Sequence, residues 1–185
     1  MRAIPDQTQS TVAARPVARR RWALLGGLAL LMAALDQVSK ALVVNGLAIG
    51  QSWAPIPALA NIFQITRSAN SGAAFGTFQG ANLPLMLLSL AMIVGIVIFF
   101  RQLAPGHTGQ TIALGFLLGG VIGNALDRMR FGTVVDFIHW QLPGVISNVS
   151  NLADHAIVFS VLTLLIIGSR TNRTSEHSHG SATKP

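Results

Sequence analysis

The chain has no cysteine, which excludes disulfides, a thiolate nucleophile and any cysteine-based metal site. Acidic residues are nearly as scarce, six in 185 positions against thirteen Lys and Arg. Charged residues of both signs make up only 10% of the chain, whereas a soluble domain carries about a quarter. Set beside 51% hydrophobic residues, this excludes an ordinary water-soluble domain and points to one membrane domain. Several chemical motifs are missing too. There is no Gly-x-Ser-x-Gly nucleophile elbow, and the glycines at 72 and 76 lack the Gly-Lys-Ser/Thr ending of a phosphate loop. His139 and His155 are too far apart for a His-Glu-x-x-His zinc site, so no metal or other cofactor is expected. No internal repeat is visible.

The net charge of +7 could suggest a nucleic-acid partner, but its distribution does not. Arg2, Arg15, Arg19, Arg20 and Arg21 precede the first apolar run, Arg101 lies between the second and third, and Arg170, Arg173 and Lys184 follow the fourth. With Asp6 and Glu176 in the same segments, these account for the whole excess. Lys40, Arg67, Arg128 and Arg130 balance the other four Asp. An even number of membrane crossings puts all the excess charge on one side, the positive-inside pattern. The expectation is a multi-pass membrane protein with both termini cytoplasmic and no nucleic-acid partner.

Four spans are expected, at about 22–44, 83–100, 111–128 and 151–168, within a membrane domain at 22–170. The tails 1–21 and 171–185 are expected to be disordered and cytoplasmic. The run Trp22–Leu35 has only signal-peptide length, but apolar sequence resumes after Lys40, and 22–44 would span about 33 Å as a retained helix. Residues 46–82 read as a small β-rich element on the outer surface, with a strand near Ile62–Thr66. Pro84 starts the second helix well. In the third, Gly115, Gly119 and Gly123 recur every fourth residue, a ridge of small residues that admits a neighbouring helix closely, with Gly120, Asn124 and Arg128 on the adjacent ridge. Thr133–Trp140 looks extended. The last span has only Ala156–Ile167 free of strongly polar groups. It must therefore begin near Asn151, which puts Asp154 in its first turn. The fold class is thus an all-α membrane protein of four helices, with a small β-rich element between helices 1 and 2.

The four remaining acidic residues, Asp36, Asp127, Asp136 and Asp154, lie in or against these apolar segments. An ionised group at membrane depth costs about 2.5–3.5 kcal/mol or more. Each has an ordinary explanation. Asp154 would suit a helix start, Asp136 a half-exposed strand, Asp36 an i,i+4 pair with Lys40, and Asp127 with Arg128 buried ion pairs. Asn70, Asn124 and Asn151 could satisfy helix ends or orient the carboxylates. In the four-span topology, however, all four aspartates fall at one depth near the outer rim. Two carboxylates held close share a proton, so that one serves as base on a water while the other is an acid. A proton-coupled transporter or channel subunit would also use intramembrane Asp, though with its site near the midplane and repeated halves. A structural membrane scaffold is the third reading.

Five stretches carry a closer likeness: Asp36-Gln-Val-Ser-Lys40, Asn70-Ser-Gly-Ala-Ala-Phe-Gly76, Gly119-Gly-Val-Ile-Gly-Asn-Ala-Leu-Asp-Arg128, Gly132-Thr-Val-Val-Asp-Phe-Ile138 and Asn151-Leu-Ala-Asp154. In order and spacing the chain resembles the bacterial lipoprotein signal peptidases (signal peptidase II), membrane aspartic peptidases. Ser150 departs from the pattern, standing where an aromatic residue is expected. The resemblance implies that Asp136 and Asp154 are the catalytic pair. It implies that Asp36, Lys40, Asn70, Gly120, Asn124, Asp127, Arg128 and Asn151 support the site or contact substrate. The implied partners are diacylglyceryl-modified prolipoproteins and membrane lipids. The enzyme is expected to be a monomer, with its site near the periplasmic face.

Overall fold

The computed structural model describes residues 19–72, 80–103, 108–142 and 144–180, with side chains to Arg170. Most of the expected N-terminal tail, the end of the C-terminal tail, the later part of the Asn70–Gly76 stretch and the middle of the 101–109 loop lie outside these residues. Four long helices run Arg19–Gly46 (α1), Asn82–Gln102 (α2), Thr108–Phe131 (α3) and Leu152–Gly180 (α4). Each is long and apolar enough to cross a membrane. The last continues about a dozen residues past 168, where its apolar stretch ends.

α3 lies at the centre. It packs on α1, α2 and α4 and contributes Leu114, Leu117, Leu118 and Val121 to the core, with Leu25 and Ala29 from α1 and Ile96 and Phe100 from α2. Leu30, Leu42, Leu87, Leu90, Phe159 and Leu165, on the other three helices, stay exposed. That is how helices with a lipid-facing side behave, since hydrocarbon gives them no reason to turn inward. The glycine ridge faces α1. A Cβ at Gly115 would lie 2.8 Å from the Leu28 Cβ, and one at Gly119 would lie 2.6 Å from the Ala29 carbonyl oxygen. Gly120, on the next ridge, faces α4 instead, where a Cβ would lie 2.7 Å from the Ala153 carbonyl oxygen.

At the basic end, where α1 and α3 begin and α2 finishes, Arg21 donates to Thr111 Oγ1 at 3.1 Å and stacks over Phe100. Trp22 meets the same ring edge-on. At the other end lies one antiparallel sheet of Ser52–Trp53 (β1), Phe63–Asn70 (β2), Val134–Leu142 (β3) and Ile146–Ser150 (β4), in that order. The β-rich element expected between helices 1 and 2 is therefore half of a sheet whose other half comes from the segment joining α3 to α4. Phe63 and Trp140 pair across its middle. Gly132 turns the chain from α3 into β3 with φ of 71°, and its N–H caps the Arg128 carbonyl. A side chain would resist that left-handed backbone.

Candidate active site

Local rules place each polar side chain before tertiary structure joins them. Asn151 directly precedes α4, and its Oδ1 accepts the Asp154 N–H at 2.9 Å, while Asp154 Oδ2 accepts the Asn151 N–H at 3.4 Å. This is a reciprocal helix-start box, so the ordinary reading of Asp154 holds as far as it goes. At the end of β2, Asn70 Oδ1 accepts the Gly72 N–H at 2.9 Å, a local turn. Asp36 and Lys40 are one turn apart on α1 and form an ion pair of 2.8 Å.

The tertiary fold then turns these devices toward one another. Because the oxygens of Asn70 and Asn151 are occupied by backbone N–H groups, their amide nitrogens must point the other way. Both point at Asp136. Asn70 Nδ2 donates to Asp136 Oδ2 at 2.9 Å, and Asn151 Nδ2 donates to Oδ1 at 2.7 Å. Asn124 obeys the same logic. Lys40 Nζ donates to its Oδ1 at 3.0 Å, so its Nδ2 donates to Asp154 Oδ1 at 2.7 Å. Three amides with fixed orientation therefore hold two carboxylates.

Beneath them lies a buried frame. Lys40, 3% exposed, bridges Asp36 and Asp127 at 2.8 Å each, and both carboxylates are 1% exposed or less. Asp36 Oδ1 also accepts the Ala153 N–H in the first turn of α4 at 3.0 Å, where the positive end of the helix dipole favours an anion. Asp127 Oδ2 accepts the Val135 N–H at 3.1 Å, one residue from Asp136. One ion triad thus sets both segments that carry Asp136 and Asp154. Gln37 completes it, donating to Asp127 Oδ1 at 2.8 Å and accepting from Arg130 at 2.9 Å. Sequence reasoning missed Gln37. It lies within the first motif, but nothing at the sequence level distinguishes it from an ordinary surface glutamine.

A cleft of about 750 Å³ opens over this frame, lined among others by Asn70, Gly72, Asn124, Arg128, Asp136 and Asp154. Arg128 was expected in a buried ion pair with Asp127. Instead Asp127 turns to Lys40, and Arg128 is half-buried at the cleft with Nη2 on the Gly72 carbonyl at 3.1 Å. Adjacent residues on a helix point about 100° apart, so the two cannot serve one site. Asp136 is 2% exposed. Burial, and secondarily the negative charge of Asp154, push its carboxyl up to about 6, against the opposing amide donors of Asn70 and Asn151 and the charge of Lys40. A carboxyl near neutrality beside a second carboxylate can both hold and surrender a proton. Among the described residues, no three His, Asp or Glu side chains converge as a metal-ligand set.

The family model described as signal peptidase (SPase) II matches residues 28–169. The chain belongs to that family. It is 40% identical over 139 residues to the lipoprotein signal peptidase of Geobacillus thermodenitrificans, covering 75% of this chain and 85% of that one. The lipoprotein signal peptidase of Bacillus subtilis is 39% identical over the same length, with 88% of its chain covered. A solved bacterial membrane enzyme superimposes with a TM-score of 0.72 at 28% identity, over 78% of this chain and 87% of the other. The chain is thus a multi-pass membrane enzyme with lipoprotein signal peptidase activity, aspartic in type, acting on prolipoproteins.

Proposed function

We propose that Asp136 and Asp154 are the catalytic pair of this signal peptidase, removing the signal peptide of a prolipoprotein by cutting before its diacylglyceryl-modified cysteine. The observation that carries the reading is that both carboxylates line one cleft, each held by amide donors that cannot turn over. Asp136, poised to keep a proton, acts as acid on the scissile carbonyl oxygen, while Asp154 takes a proton from the attacking water. Water adds to the carbonyl carbon, the tetrahedral intermediate collapses, and the amine leaves with the proton that the pair returns. Neither a metal nor a nucleophilic side chain is required. Asn70, Asn124, Asn151 and Arg128 bound the reacting groups. Asp36, Lys40, Asp127 and Gly120 hold the elements that present them.

In this reading the chain is a monomer whose unit of function is the membrane domain, and α4 extends beyond it as helix to Gly180. Both termini are cytoplasmic, a placement that the positive-inside charge distribution supports. The cleft then opens at the periplasmic rim of the inner membrane, where a diacyl anchor can stay in the bilayer while the peptide bond reaches the aspartates. The test is cleavage of a lipid-modified prolipoprotein by Asp136→Asn and Asp154→Asn variants. Each should lose activity while still inserting and folding, because Asn keeps the size of Asp but cannot exchange a proton. The double variant should be no worse than either single one. Near wild-type cleavage by either single variant would end the reading and move the catalytic groups to other side chains of the cleft.

A further inference from the structure

The outer edge of β4 borders the same cleft, and its backbone groups can be assigned. β4 pairs with β3 alone, and among the described residues no strand lies on its other side. The register sets Gln141 opposite Ser147, Trp140 opposite Asn148 and His139 opposite Val149. The Gln141 N–H is used on the far side of β3, donating to the Ile62 carbonyl at 2.9 Å. In an antiparallel pair, adjacent residues alternate between the two edges. The Gln141–Ser147 and His139–Val149 pairs are therefore the ones without mutual hydrogen bonds, so the N–H and C=O of Ser147 and Val149 point away from the sheet. Asn148 and Ser150 direct theirs inward to β3. Ser147, Asn148, Val149 and Ser150 all line the cleft. The strand ends one residue before Asn151, whose amide holds Asp136.

We infer that the substrate chain beside the scissile bond binds as an extended fifth strand on the free edge of β4, hydrogen-bonded to the backbone of Ser147 and Val149. This rests on the catalytic role proposed for Asp136 and Asp154. An extended chain is what the chemistry needs. Within a helix the scissile carbonyl is hydrogen-bonded and shielded, whereas along a strand edge alternate peptide groups are bound and the intervening ones stay free for attack. The five residues of β4 offer about 17 Å of edge, and the edge leads toward the aspartates.

Two measurements test this. In the first, wild-type enzyme is given lipid-modified prolipoprotein peptides in which successive backbone amides beside the scissile bond are N-methylated one at a time. Losses of kcat/KM of about tenfold at alternate positions, with little change between them, are expected for lost strand hydrogen bonds; losses without alternation overturn the proposal. The second is Val149→Pro, which removes an outward N–H without breaking the ladder to β3, a place where a strand tolerates proline. It should lower kcat/KM about tenfold, mainly through KM, and unchanged kinetics in the folded variant overturn the proposal. If that variant does not fold, the peptide series on wild-type enzyme decides alone. Failure of the catalytic reading is separable, because it appears as activity surviving in Asp136→Asn or Asp154→Asn on unmodified substrate.

Discussion

At the scale of single residues, the chemistry depends on how an amide is prevented from turning over. An asparagine beside a carboxylate can offer either its oxygen or its nitrogen, and only the nitrogen supports an anion. Here a backbone N–H or Lys40 Nζ occupies each oxygen, leaving the nitrogen for the aspartate. The pH dependence follows. In the proposed catalytic pair, the acid is lost as the pH rises through the value to which Asp136 is pushed, about 6, and the base is lost when a second proton adds at lower pH. A bell-shaped profile of kcat/KM is expected, with an alkaline limb near 6 that belongs to the pair. The same shift acts on stability. Since the folded protein holds this proton more tightly than the unfolded chain, stability from this group is greatest below about pH 4 and falls as the pH rises through about 6. Titrating kcat/KM and thermal stability across pH 4–8 checks both signs. Arg128→Ala should leave thermal stability near wild type, because its described hydrogen bond is to the Gly72 carbonyl at the cleft, while kcat/KM falls by about tenfold or more. Parallel loss of folded yield would return Arg128 to a structural role.

At the scale of elements, α3 acts as a spacer with two glycine-lined sides. Its ridge at Gly115, Gly119 and Gly123 was legible from the four-residue period, and so was the close approach it permits. Which helix approaches was not, because α1 and α4 each have apolar faces that could have met it. Gly120 is the more sensitive position, since α4 touches it through the Ala153 carbonyl, one residue before Asp154. Gly120→Ala must push back the first turn of α4, and a displacement of about 1 Å can cost about a hundredfold in rate. Gly26→Ala, where an added Cβ meets nothing within 4 Å, should leave kcat unchanged. Comparing the two at matched folded amounts separates site displacement from a general effect of alanine. The Asp36–Lys40 pair was readable as an i,i+4 match, but Asp127 as its third member was not. Its obvious candidate partner was the neighbouring Arg128, and a distance of 87 positions separates it from Lys40.

For the whole molecule, the ion triad joins α1, α3, the start of β3 and the start of α4 into one body. Removing its centre should be costly. Lys40→Met leaves Asp36 and Asp127 buried without their cation, a loss on the order of 3–5 kcal/mol, expected as a lower unfolding temperature in detergent together with lost activity. A variant of wild-type stability would refute the frame. The proposed orientation across the membrane rests on the charge distribution. Reporter fusions at the C-terminus and within 46–82 should report opposite sides, and a C-terminus outside the cytoplasm would contradict the four-span topology.

The sequence by itself determined that this chain belongs to a membrane, that four segments are apolar enough to cross it and which segments carry the excess charge, because these follow from local hydropathy and simple counting. It also marked nearly every polar residue of the site, since a charge at membrane depth is too costly to be incidental. Only the tertiary structure decided which of those residues meet. Asp136 and Asp154 sit on a strand and a helix, with β4 between them in the chain, and the sheet that brings Asn70 to Asp136 pairs strands more than sixty residues apart. Such pairings depend on how the helices pack around α3, an outcome of steric fit among distant side chains that no local pattern encodes.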